Sequence, residues 1–150
     1  MKINTRTRYG IRAMAEIASE TSGKGVFQKD IATRQEISVK YLDSIIQELK
    51  TANLIVNAKG KKSGYVLTRD PKDITMMDIQ NAFDNGIYLI NCLVNGAQCD
   101  RAPDCNARKF WNNLNTIIID YFKSITLKDI VDNNFVVLNR LDFPDVKFNC

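Results

Sequence analysis

"VFQKDIATRQEISVKYLDSIIQELKTAN", residues 26–53, holds two helical patterns joined by a very short connection. The second pattern decides the fold. Leu42, Ile45, Ile46 and Leu49 recur at i, i+3, i+4 and i+7, the spacing that gathers side chains on one helix face for burial. Ser38 stands where an N-cap belongs, because its hydroxyl can accept an otherwise unpaired first-turn N–H. Asn53 is a plausible left-handed stop at the other end. Burying that face leaves Lys40, Asp43, Ser44 and Gln47 on the outer side, with Val39 and Tyr41 near the exposed N-terminal end. Upstream, "VFQKDIATRQE" reads as a short helix with Ile31 and Ala32 as its buried pair, and "EIS" is the tight turn between the two.

Toward the N-terminus, Ile11, Met14, Ala15 and Ala18 recur at helical intervals, so residues of about 5–20 read as a first amphipathic helix, broken by "TSGKG". On the other side, "LIVNAKGKKSGYVLTRD" holds two β-rich pieces, Leu54–Val56 and Tyr65–Leu67. They flank a loop of Lys59, Gly60, Lys61, Lys62 and Gly64, a hairpin with a basic tip. Three helices and such a hairpin make a winged helix-turn-helix, a mainly α fold with a small β wing. In these modules the second helix of the turn motif enters the major groove, and wing lysines neutralise phosphates. Winged helices also serve as protein–protein modules, and a lysine-rich hairpin can be a plain soluble turn.

Charge separates those readings in part. Residues 1–70 hold 13 Lys+Arg against 7 Asp+Glu, whereas residues 71–150 hold 8 against 10. The basic half is the one that carries the turn motif and wing, which favours double-stranded DNA as partner. The 150 residues suit one domain with an appendage for pairing. The division expected is a DNA-binding head at 1–70, then a hinge helix, cysteine loop and dimerisation helix at 71–133, then a tail at 134–150. No signal-peptide pattern or membrane-length apolar run is present, so a cytoplasmic protein is expected. The chain has no histidine, GxSxG, Walker loop or HExxH pattern, and an enzyme is not expected.

In the second half, Thr75 and Asp78 resemble a capping box opening a helix whose apolar face is Met76, Ile79, Ala82 and Phe83, closed by Gly86. Farther on, "ARKFWNNLNTIIIDYFKSI" carries a wide apolar stripe: Phe110, Trp111, Leu114, Ile117, Ile118, Tyr121, Phe122 and Ile125. A long helix this apolar calls for a partner helix, most simply from a second copy in a two-fold dimer. A dimer also suits a palindromic operator, one recognition helix per half-site.

Between these helices lies "CLVNGAQCDRAPDC", with Cys92, Cys99 and Cys105 spaced C-x6-C-x5-C. In a reducing compartment, clustered thiols more often bind metal or sense redox state than pair as disulfides. An iron–sulfur cluster (2Fe–2S or 4Fe–4S) is one candidate, with a fourth ligand from Asp100, Asp104, Cys150, an acidic residue of a partner or a small thiol. Zinc is a second, weakened by the lack of a C-x2-C pair. A metal-free thiol sensor helped by Arg101 and Arg108 is a third, and ordinary loop cysteines with no bound group are the fourth.

"INTRTRYGIRAM", "DIATRQEISVKYLDSIIQELKTANLI", "GKKSGYVL" and "ITLKDIV" together resemble the Rrf-type winged-helix transcription regulators of bacteria, from residue 1 to about 133. The resemblance implies a homodimeric, sequence-specific regulator, and several members hold an iron–sulfur cluster at positions matching Cys92, Cys99 and Cys105. It implies DNA contacts from Ser38, Val39, Lys40, Tyr41, Asp43 and Ser44, with Arg6, Arg8, Gln28 and Lys29 beside them and Lys59, Lys61 and Lys62 on the wing. Asp43 matches an acidic residue tied to choice of DNA site. Two departures stand out. Arg108 occupies the place of a histidine near the third cysteine, and Arg8 the place of an acidic ligand lent by a partner's first helix; guanidinium is a poor ligand for iron.

Overall fold

The computed structural model describes residues 3–59, 63–94, 99 and 101–134. Lys61, Lys62, Asp100 and Cys150, with the tail from residue 135 on, lie outside the described residues.

Helix α1 (Thr5–Ala18) starts at Asn4, whose side chain accepts the Arg6 N–H at 2.9 Å. Its buried face is Thr7, Gly10, Ala13, Met14 and Ile17. Of the apolar repeat, Met14 lies in this face, whereas Ile11, Ala15 and Ala18 flank it and are only partly buried. The face is turned because Gly10 receives the Phe83 ring: a Cβ there would lie 2.3 Å from the ring's Cε2.

Helix α2 (Gln28–Gln35) ends at Glu36 in the left-handed conformation, φ 53°. That single reversal lets Ile37 turn back into the core and leaves Ser38 to cap α3 (Val39–Thr51). The Ser38 hydroxyl accepts the Tyr41 N–H at 3.2 Å. Leu42, Ile45, Ile46 and Leu49 are all buried, and Asn53 is left-handed at φ 54°, as the spacing predicts.

Strands β1 (Ile55–Asn57) and β2 (Tyr65–Leu67) pair antiparallel with Ile55 opposite Leu67. The first strand starts one residue later than expected. Leu54 instead closes the end of α3, its N–H bonded to the Leu49 carbonyl at 3.0 Å. Val26 adds a bridge on the far side of β2, exchanging two backbone hydrogen bonds with Tyr65.

Helix α4 (Met76–Phe83) opens with the expected Thr75–Asp78 capping box. Beyond it, α5 (Asn106–Ser124) runs for 19 residues, and α6 (Leu127–Asp132) follows at once. Helix α6 has no counterpart among the elements read from periodicity, since six residues are too few for a repeating face. It begins with a second capping box, Thr126–Asp129. The two boxes meet: Met76 N–H bonds to the Ile125 carbonyl at 2.9 Å and Leu127 N–H to the Ile74 carbonyl at 2.8 Å. Two helix N-termini thus lie side by side, each with its own carboxylate to offset the positive ends.

One continuous apolar core joins these parts, from Met14, Ile31, Leu42, Ile45 and Leu49 to Ile74, Ile79 and Leu127. Among the described residues no helix is long and apolar enough to cross a membrane.

Candidate nucleic-acid interface and cysteine segment

Two surfaces carry chemistry. The first is built on the turn motif. Capping by Ser38 fixes where α3 begins, and the buried stripe fixes its rotation, so Val39, Lys40, Asp43 and Ser44 are left exposed together. Val39 is 52% exposed at the very start of the helix. Tyr41 is half-buried and meets the Tyr9 ring edge-on at 5.8 Å. The Ser44 hydroxyl donates to the Tyr41 carbonyl at 2.8 Å. Beside α3, Gln28 donates to the Asp43 carboxylate, and Lys29 is exposed on α2. Arg8 and Lys59 are exposed, whereas Arg6 is held in an ion pair with Glu48.

Periodicity gives no hint of three supporting groups. Arg12 lies over the Tyr9 ring at 5.2 Å and caps the end of α2, donating to the Gln35 side chain at 2.8 Å and to its carbonyl. Tyr9 in turn braces Tyr41, so a cation–aromatic stack ties α1 to the start of α3. Tyr65 reaches from the wing to Gln28, its hydroxyl donating at 3.3 Å. Apart from Arg12 over Tyr9, one helical turn apart, no sequence spacing announces these contacts, because their partners lie up to 37 residues apart.

The second surface surrounds the N-terminus of α5. Cys105 is the N-cap of that helix, its sulfur accepting the Arg108 N–H at 3.4 Å. Cys92 is half-buried in the turn Asn91–Leu93, and Cys99 is exposed. Arg108, at the place of the expected histidine, donates from Nε to the Cys92 carbonyl at 3.2 Å. It thereby joins the two ends of the cysteine segment as a cation rather than as a ligand. An open cavity of about 280 Å³ adjoins Cys105, with Arg108 and Lys109 on its walls. Three soft thiols suit an iron–sulfur cluster chemically. Among the described residues, however, no three Cys, Asp or Glu side chains converge as a metal site in the single chain.

The body of α5 is held by one amide. Asn115 is buried and bridges the 87–89 segment, accepting from Leu89 N–H at 2.9 Å and donating to the Ile87 carbonyl at 3.0 Å. Half of the predicted apolar stripe is not covered: Phe110, Trp111, Ile117 and Tyr121 are exposed, Phe110 by 61% and Ile117 by 57%. Near the C-terminal end, an apolar cavity of about 140 Å³ opens between Ile11, Met76, Tyr121, Phe122, Ile125 and Ile130.

A short helix, a left-handed turn, a capped recognition helix and a paired hairpin define a winged helix-turn-helix, here with a long helix appended. The model of the Rrf2 family, described as iron-dependent transcriptional regulators, matches residues 3–133, and the chain belongs to that family. It is 34% identical over 131 residues to the protein rrf2 of Nitratidesulfovibrio vulgaris, covering 87% of each chain. It is 29% identical to the regulator IscR of Vibrio vulnificus over 91% of this chain and 81% of that one. Among solved structures it resembles CymR, the global cysteine regulator of B. subtilis, with a TM-score of 0.75, 27% identity and coverage of 90% and 99%. IscR of T. potens is similar too, with a TM-score of 0.72, 27% identity and coverage of 90% and 89%. The chain is therefore a transcriptional regulator and not an enzyme.

Proposed function

We propose that this chain is a cytoplasmic, homodimeric regulator whose grip on a palindromic operator is set at Cys92, Cys99 and Cys105. Residues 1–70 serve as the DNA-reading head, and 71–133 as the sensing and pairing arm. Lys40, Ser44 and the other exposed groups at the start of α3 face base edges, while Arg8, Lys29 and the wing lysines meet phosphate. The exposed stripe on α5 pairs with its two-fold copy, which removes Phe110 and Ile117 from water.

The observation that carries the sensing part is the double role of Cys105, a thiol of the segment and the N-cap of α5. Anything bound to that sulfur competes with the Arg108 N–H and acts on the start of the pairing helix. An iron–sulfur cluster held by Cys92, Cys99 and Cys105 is the reading the donor set favours, and such a group supplies sensitivity to oxidants and to iron supply. The lack of convergence among the described residues favours the metal-free thiol sensor as second reading.

The test is an absorption spectrum of protein purified without oxygen, with iron, acid-labile sulfide and zinc assayed on the same sample. Visible bands with matching iron and sulfide support the cluster. Zinc at one per chain, or a colourless protein that stays so after anaerobic reconstitution, overturns it in favour of zinc or of the bare thiols.

A further inference from the structure

Gln28 is where three parts of the head meet. Its amide nitrogen donates to Asp43 on α3 and, at 3.4 Å, to the Val39 carbonyl in the first turn of that helix. Its amide oxygen accepts the Tyr65 hydroxyl proton from the wing at 3.3 Å. Donor and acceptor are thus both used, and the amide cannot flip without losing both contacts.

Tyr65 is itself immobilised. Its backbone exchanges hydrogen bonds of 3.0 and 2.9 Å with Val26, two residues before Gln28. The Lys50 ammonium lies 5.9 Å from the centre of its ring and donates to Asn57 on the paired strand at 3.0 Å. Burial raises the Tyr65 pKa above its ordinary value, and the nearby Asp43 carboxylate pushes the same way. The hydroxyl therefore stays a protonated donor throughout the neutral range.

Asp43 is an anion on a surface that otherwise suits DNA, so its direction matters. A carboxylate only accepts hydrogen bonds, and phosphates, guanine O6 and N7, and thymine O4 offer it none. The major-groove donors are the amino groups of cytosine and adenine. Adenine places its N7 lone pair beside the amino group, which opposes a carboxylate, so cytosine fits better. With one oxygen of Asp43 engaged by Gln28, the other is left to accept.

We propose that Tyr65 and Gln28 form a relay from the wing to the recognition helix that fixes the Asp43 carboxylate, making both positioning residues for recognition of a cytosine in each half-site. This rests on the DNA-binding reading above. Docking of the wing on phosphate and selection of that base are then linked, although Tyr65 touches no base.

The experiment is in vitro selection by the full-length protein from a randomised duplex pool, comparing wild type with D43A, Q28A and Y65F. Each site is then re-measured by fluorescence anisotropy with that one base pair changed. Wild type should prefer cytosine at one position per half-site by on the order of tenfold or more. D43A should erase that preference, and Q28A and Y65F should reduce it to about threefold or less, with other positions and the salt dependence unchanged in Y65F. Q28A keeps the test sound should Y65F fold poorly, since Gln28 is only half-buried and outside the core. Wild-type preference retained in both Q28A and Y65F overturns the relay, and preference unchanged in D43A overturns the role of Asp43. A wild-type protein that enriches no sequence overturns the DNA-binding reading itself.

Discussion

Gly64 lies so close to the Gly25–Val26 backbone that a Cβ would sit 2.5 Å from three of its atoms. No rotamer relieves a clash with main chain, so G64A must push the wing off the segment that leads into α2. A loss of about 1–3 kcal/mol is expected in urea unfolding, together with weaker DNA binding. At Ser38 the smaller change S38A removes one hydrogen bond to the first turn of α3 and should cost about 1 kcal/mol. Asp129 offers a pH test. Hydrogen bonds from the Thr126 hydroxyl at 2.6 Å and the Thr126 N–H at 2.9 Å lower its pKa. A depressed carboxylate contributes stability above its unfolded pKa, and that contribution is lost as pH falls through the folded value, here from about pH 4 downward. In an NMR carboxyl titration T126V should move the Asp129 midpoint upward; an unmoved midpoint would show that the box is not formed in solution.

Among the elements, α3 was legible because burial of one face imposes a period that a sequence displays directly, and the wing because two β-rich pieces flank a loop of glycines and lysines. The face of α1 was harder to place, since the choice between Ile11 and Gly10 depends on the Phe83 ring, a contact across 73 residues that the repeat does not encode. Helix α6 was hidden by its length, although Thr126 and Asp129 repeat the Thr75–Asp78 signature that did reveal α4. Asn115 carries no signal in the apolar spacing of α5, and only the folded chain gives it two backbone partners. Arg108 is the same kind of residue: its sequence position marks a missing histidine, and its bond to the Cys92 carbonyl needs the fold. The exposed stripe of α5 leads to a prediction of its own. I117E should weaken self-association at least tenfold in sedimentation velocity while helix content stays constant. Dimers of unchanged strength would place the pairing surface elsewhere.

At the scale of the whole molecule, the basic residues 1–70 share one core with the C-terminal end of α5, through Phe122 and Ile125, whereas the thiols lie toward the opposite end of that helix. The paired capping boxes attach the C-terminal end of α5 to α4, and α4 packs on α1 through Phe83 and Gly10. The N-terminal end of α5 is held at Cys105 and Arg108. In the proposed mode of control, a change at the thiols acts on a helix anchored to the head at its far end and so alters how the two heads of the proposed dimer are spaced on one duplex. Operator affinity, measured by anisotropy from 50 to about 300 mM salt, tests this most directly when anaerobically prepared wild type is compared with C92S/C99S/C105S. A steep loss of affinity with salt is expected in both proteins and, at each salt, affinities that differ by about tenfold or more. A shallow salt dependence would contradict the DNA interface, and equal affinities of the two proteins would contradict control by the cysteine segment.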